Sequence, residues 1–166
     1  MKLSHSKLIM ISGLVWFAIG VYLLQMGLNL LIEGIGNAET AAAARYPLFN
    51  ALKDSFGSVQ TVALLLVVIA LFVGYMKGRY VLGKSAHRGV ARILAMPNPA
   101  NLTSIYSPKY YILIAIMIGL GMSMRFLGVS NDVRGFVDAI IGSALINGAM
   151  IYFKLAQNLK PCDASK

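Results

Sequence analysis

Residues 8–32, LIMISGLVWFAIGVYLLQMGLNLLI, carry no charged side chain over 25 consecutive positions. At about 1.5 Å per residue a helix of that length reaches about 37 Å, enough to cross a hydrocarbon layer about 30 Å thick. Lipid offers the backbone no water to bond, so a crossing segment must satisfy its own N–H and C=O groups, as a helix does. Lys2 and Lys7 precede the run as the basic residues of a secretory signal would. A signal's apolar core is shorter, about 7 to 15 residues, and the alanine tract at 41–44 lies too far downstream to mark cleavage. The run reads as an uncleaved first span.

Three further apolar stretches, at 59–76, 110–127 and 135–153, have the same character. Only 13% of the chain is charged, against about 25% in soluble domains. The expected fold is therefore all-α: one polytopic integral membrane domain over 1–166, with four transmembrane helices arranged as two antiparallel hairpins. Ser107 and Pro108 suit the start of the third span, a serine to cap free amides and a proline for the first turn. The connection 128–134 is short, which pairs spans three and four directly.

Basic residues set the orientation. Lys2, Lys7, Lys77, Arg79, Lys84, Arg88, Arg92, Lys109, Lys154, Lys160 and Lys166 fall on one side, and Arg45, Lys53, Arg125 and Arg134 on the other. The positive-inside rule then makes both termini and the loop 77–109 cytoplasmic, and the loops 33–58 and 128–134 non-cytoplasmic. The expected location is a cell membrane, with the bacterial inner membrane as the working assignment. Net charge +9 would suggest nucleic acid for a soluble protein. Beside apolar spans the same cations meet anionic lipid headgroups, so nucleic acid is not expected. Cys162 is the sole cysteine, which excludes an internal disulfide and a Cys-x-x-Cys site.

Residues 78–85, GRYVLGKS, match the phosphate-loop pattern G-x-x-x-x-G-K-[ST]. That loop needs a strand before it and a helix after it, whereas here an apolar span precedes and the cytoplasmic stretch is too short for a nucleotide domain. No nucleotide is expected. Lys84, Arg88 and Arg92 instead recur every fourth residue, one helical stripe, with Val90, Ile93 and Leu94 supplying apolar surface. This basic amphipathic segment either lies at the headgroups, binding anionic lipid, or extends span two into the cytoplasm. An acidic partner would suit the same cations. The MPNP run at 96–99 ends the helix in either case.

Polar residues within the spans are the candidates for function, since they are costly in lipid. Gln25, Asn29 and Glu33 fall on one face of span one. Arg125 and Asp138, each four residues from the hairpin turn, come level as a pair locking spans three and four, or as part of an outward-facing ion or substrate site. Ala139, Gly142, Ser143 and Asn147 give span four a small, polar face, and Gly119, Gly121 and Ser123 do the same in span three. Gly20 and Gly27 share a seven-residue spacing with Gly121 and Gly128, but glycine is common in membrane helices and no repeat is inferred. Trp16, Phe17, Tyr110, Tyr111, Tyr152 and Phe153 read as an interfacial aromatic belt. His5 and His87 stand far apart without carboxylates or cysteines at ligand spacing, so no metal or other cofactor is expected.

The four-span pattern superficially resembles small four-helix multidrug exporters. That resemblance implies a coupling glutamate inside the first span, and Glu33 stands at its far end. No nucleophile, base and orienting acid assemble, so an enzyme is not expected. The leading function class is a non-catalytic accessory, scaffold or assembly partner, with a homo-oligomer or another membrane protein as its partner. A small permease or channel subunit working as an oligomer is the alternative, and a lipid-modifying enzyme comes third.

Overall fold

The computed structural model of the chain describes residues 2–3, 5–38, 46–95, 100–101, 119, 122–124 and 126–163. Among these, regular structure is helical apart from one antiparallel pair of two-residue strands, β1 (Lys2–Leu3) with β2 (Ala100–Asn101). The helices are α1 (His5–Ala38), α2 (Pro47–Phe56), α3 (Val59–Lys77), a π-helical segment (Gly78–Leu82), α4 (Gly83–Leu94) and α5 (Asn131–Asp163). Three stretches, His5–Asn37, Val59–Leu94 and Asn131–Asn158, are long and apolar enough to cross a membrane. They contain the expected first, second and fourth spans. The expected third, 110–127, lies mostly outside the described residues.

Each helix has local causes. Ser58 caps α3, its Oγ accepting from the Thr61 amide at 3.2 Å. Pro47 occupies the first turn of α2, where its missing N–H is no loss, and Gly57 ends that helix at φ 81°, a conformation glycine adopts freely. Before α5 the chain makes a helix stop at Gly128, φ 66°, with the Val129 amide reaching back to Met124 O at 3.1 Å. That six-to-one bond across a left-handed glycine is the usual way to satisfy the last carbonyls of a helix.

α1 and α5, first and last in the chain, form the closest packing. A Cβ on Gly13 would meet Tyr152 and Phe153, one on Gly20 would meet Ile146, and one on Gly27 would stand 2.6 Å from Ala139 N and 2.7 Å from Gly135 O. Rising residue numbers on α1 meet falling numbers on α5, so the two helices are antiparallel. From α3 through the π segment to α4 the order is reversed: Gly74 lies against Ile140 and Ser143, Gly78 against Ala144 and Asn147, and Gly83 against Ile151. α3 and α4 therefore run parallel to α5.

The π segment has a phase to correct. Along an uninterrupted α-helix, Ala86 would lie about 120° round the axis from Gly74. A π turn absorbs about one extra residue, which brings the buried face of α4 (Ala86, Val90, Ile93) back in line with that of α3. Those three side chains then pack with Leu8, Ile9 and Trp16 of α1 and Leu145, Tyr152 and Ala156 of α5. At the other end Phe49 of α2 is fully buried among Leu31, Tyr46, Val59, Val62 and Leu66.

These positions constrain the connection between α4 and α5. α4 ends beside Leu8 and Ala156, and β2 is paired to β1 just before α1 begins. α5 starts at the opposite end, where Asp132 reaches α2 and Gly135 meets Leu30 and Leu31. Asn101 and Asn131 therefore stand at opposite ends of the bundle.

Candidate functional site

The residues expected to matter separate into three places. On α1, Gln25, Asn29 and Glu33 are exposed and lie on the side of the helix opposite the glycines that meet α5. Glu33 takes part locally, its carbonyl accepting from Asn37 Nδ2 at 3.1 Å. On α5, Asp138 is buried one position from Ala139, which meets Gly27. Arg125, its expected partner, lies outside the described residues.

Lys84, Arg88 and Arg92 form one exposed stripe on α4, as their spacing requires. Of the apolar residues expected behind them, Val90 and Ile93 are buried, together with Ala86, against α1 and α5, whereas Leu94 is exposed. Of the two arrangements open to this segment, the structure has the continuation of span two: residues 77–95 are an extension of the helix rather than a separate element. The glycine and amides of the 78–85 pattern belong to that helix, with Gly78 N bonded to Gly74 and Tyr75 carbonyls and Gly83 N to Gly78 O. Its backbone amides are turned along the helix axis rather than around a phosphate-sized hollow.

Helix extension also relocates part of the aromatic belt. Trp16 and Tyr152 are 5% and 7% exposed, inside the α1–α4–α5 cluster. Phe17 and Phe153 pack ring to ring at 6.2 Å. Sequence position alone placed them near headgroups; α4, folding alongside, covers Trp16 and Tyr152.

The small polar face expected on span four divides between two neighbours. Ala139 and Gly142 serve α1, with Gly142 in direct contact with the Leu24 backbone, whereas Ser143 and Asn147 serve α3. Ser143 Oγ donates to Leu71 O at 3.2 Å, Asn147 Nδ2 to Ser143 O at 2.8 Å, and Ser6 Oγ to Ala156 O at 3.2 Å. These three groups are thus joined to backbone carbonyls, which removes their desolvation penalty, whereas the buried Ser12 Oγ of α1 has no hydrogen-bond partner among the described residues.

Asp132 is the residue that sequence reasoning missed. It is fully buried, and its Oδ2 accepts from the amides of Leu48 at 2.7 Å and Phe49 at 3.2 Å, while Oδ1 accepts from Val133 N at 2.9 Å. Tyr46, at the N-cap of α2, supplies no capping side chain. A carboxylate from α5 takes that role across the fold, satisfying two free amides and meeting the positive end of the α2 dipole. Nothing in the local sequence of α2 announces a cap 84 positions away.

A small cavity beside Trp16, Ser85, Leu145 and Tyr152 has a volume of about 20 Å³, room for roughly one water molecule. Among the described residues no three His, Cys, Asp or Glu side chains stand together as a metal set. Comparison with protein-family models, curated proteins and solved structures finds no match.

Proposed function

We propose that the protein is a four-crossing membrane protein with both termini cytoplasmic, acting as a non-catalytic accessory or assembly partner. The observation that carries this reading is the way α5 is clamped: glycines bring α1 onto one face at backbone contact, and Ser143 and Asn147 tie the other face to α3 and to its own turn. Such packing favours a rigid scaffold over a permeation path, because Ser6, Ser143 and Asn147 bond protein carbonyls and the helices meet at backbone contact. The exposed cations of α4 carry the cytoplasmic end, where Lys84, Arg88 and Arg92 suit anionic headgroups.

Purification in mild detergent followed by reconstitution in vesicles tests the proposal. A stoichiometric membrane-protein partner, with ion and solute flux no greater than in empty vesicles, is the expected result. Flux that falls on Gln25→Ala or Asn29→Ala would instead support the second reading, an oligomeric permease whose path runs between copies along the exposed polar face of α1.

A further inference from the structure

We infer that α1 is the contact helix of a parallel homodimer, sealed by Gln25 and Asn29. The inference rests on the membrane-embedded reading and not on the accessory role. α1 has two opposite faces. Of Gly13, Gly20, Gly27 and Gly34, seven residues apart, the first three meet α5 and Gly34 meets Phe49 of α2. Opposite them run Ile11, Val15, Ala18, Tyr22, Gln25, Asn29, Ile32 and Gly36, steps of four and three that a second helix crossing at about +20° would cover. All but the half-buried Ile11 are exposed, Tyr22 and Ile32 by 66% and 64%.

The three-four stepping belongs to any face of a helix; the chemistry of this one does not. The exposed face of α3 at comparable depth is Leu64, Val68, Leu71, Phe72 and Tyr75, a surface suited to acyl chains. On α1 the same depth presents two primary amides. An amide left in hydrocarbon costs several kcal/mol unless another polar group meets it. The remaining expected span, residues 110–127 (YYILIAIMIGLGMSMRFL), carries hydrogen-bonding side chains only toward its ends, at Tyr110, Tyr111, Ser123 and Arg125, and Arg125 is the expected partner of Asp138. The Ser123 hydroxyl already donates to Gly119 O at 2.6 Å.

A second copy supplies what is missing. Copies inserted in one bilayer share an orientation, so a two-fold axis along the membrane normal sets α1 against α1 in parallel and brings equal-numbered residues together. A primary amide both donates and accepts, so Gln25 pairs with Gln25 and Asn29 with Asn29. Asn29 shares its heptad position with Val15, Tyr22 and Gly36, and a lone asparagine at one core position is the device that fixes register and copy number in paired helices. Glu33 flanks the line at the outer end, where it reaches water.

Disulfide trapping in native membranes tests this, with Cys162→Ser removing the natural thiol. Ala18→Cys, Gln25→Cys, Asn29→Cys and Ile32→Cys, each alone, should give covalent dimer under mild oxidation. Leu64→Cys and Phe72→Cys on α3 should not. Retention in the membrane after alkaline washing is scored on every variant, which separates a failed interface from a failed membrane assignment. In vesicles, Asn29→Ala should weaken association measured by energy transfer roughly three- to thirtyfold, and Asn29→Gln should recover most of it. The inference is overturned if membrane-retained protein gives no dimer at the α1 positions, if α3 positions trap dimer equally, or if Asn29→Ala leaves association unchanged. A disulfide formed within one chain between Asn29→Cys and either Met124→Cys or Phe126→Cys, which the expected register of span three puts at the same depth, would overturn it too, by showing that the chain covers this face itself.

Discussion

Asp132 and Gly142 show how much single side chains, or their absence, decide here. Replacing Asp132 by alanine leaves the amides of Leu48 and Phe49 buried without an acceptor, a loss of about 2 kcal/mol. The expected outcome is faster hydrogen exchange across Pro47–Phe56 and a lower melting temperature, with Asp132→Asn, which keeps one acceptor oxygen, in between. Gly142→Ala pushes a methyl group into the Leu24 backbone and should cost about 1 to 3 kcal/mol. Gly36, with open space around its Cα within one chain, is the control for packing inside the monomer: Gly36→Ala should leave monomer stability unchanged or raise it by roughly 0.5 kcal/mol. Thermal unfolding in one detergent compares all four. The glycine contact was half legible: Gly20 and Gly27 stand out by spacing, and on α5 they meet Gly142 and Gly135. Sequence shows that two helices could approach closely; it does not say which two, because every span carries small residues.

Among the elements, the π segment gives the sharpest test. If it exists to keep the α3 and α4 faces in phase, deleting the exposed Val81 should let the helix run on as regular α with Ala86, Val90 and Ile93 still facing α5. Deleting Phe72 removes one residue where no π turn can absorb it. That deletion rotates Val59–Ala70 about 100° away from their partners and should cost at least about 4 kcal/mol. Comparable melting temperatures for the two deletions would show that phase is not what the π turn provides. Residues 77–95 also mark the limit of sequence reading at this scale. The cationic stripe was legible from its four-residue spacing, and its exposure agrees. Whether the apolar side met lipid or protein was not legible, because Ala86, Val90 and Ile93 suit either neighbour, and the choice depends on α1 and α5 being long enough to pack beside them.

For the whole molecule, orientation is what two independent arguments share. Eleven cations fall on one predicted side and four on the other, an asymmetry that sets topology in short-looped membrane proteins. The packing uses no charge at all: α3 and α4 run parallel to α5, the relation that a return crossing between them would give. The proposed topology assigns a side to five positions. Reporters at residues 1, 98 and 166 should read cytoplasmic, and reporters at 42 and 129 should read from the opposite side. Position 129 discriminates most. A chain with only the three described crossings would keep 98 and 129 on one side, and α5 would then run antiparallel to α3, reversing contacts such as Gly74 with Ser143 and Gly78 with Asn147. A cytoplasmic reading at 129 would therefore sink the return crossing and the α3–α5 register at once, whereas a cytoplasmic reading at 42 alone would remove the first hairpin and leave that register standing.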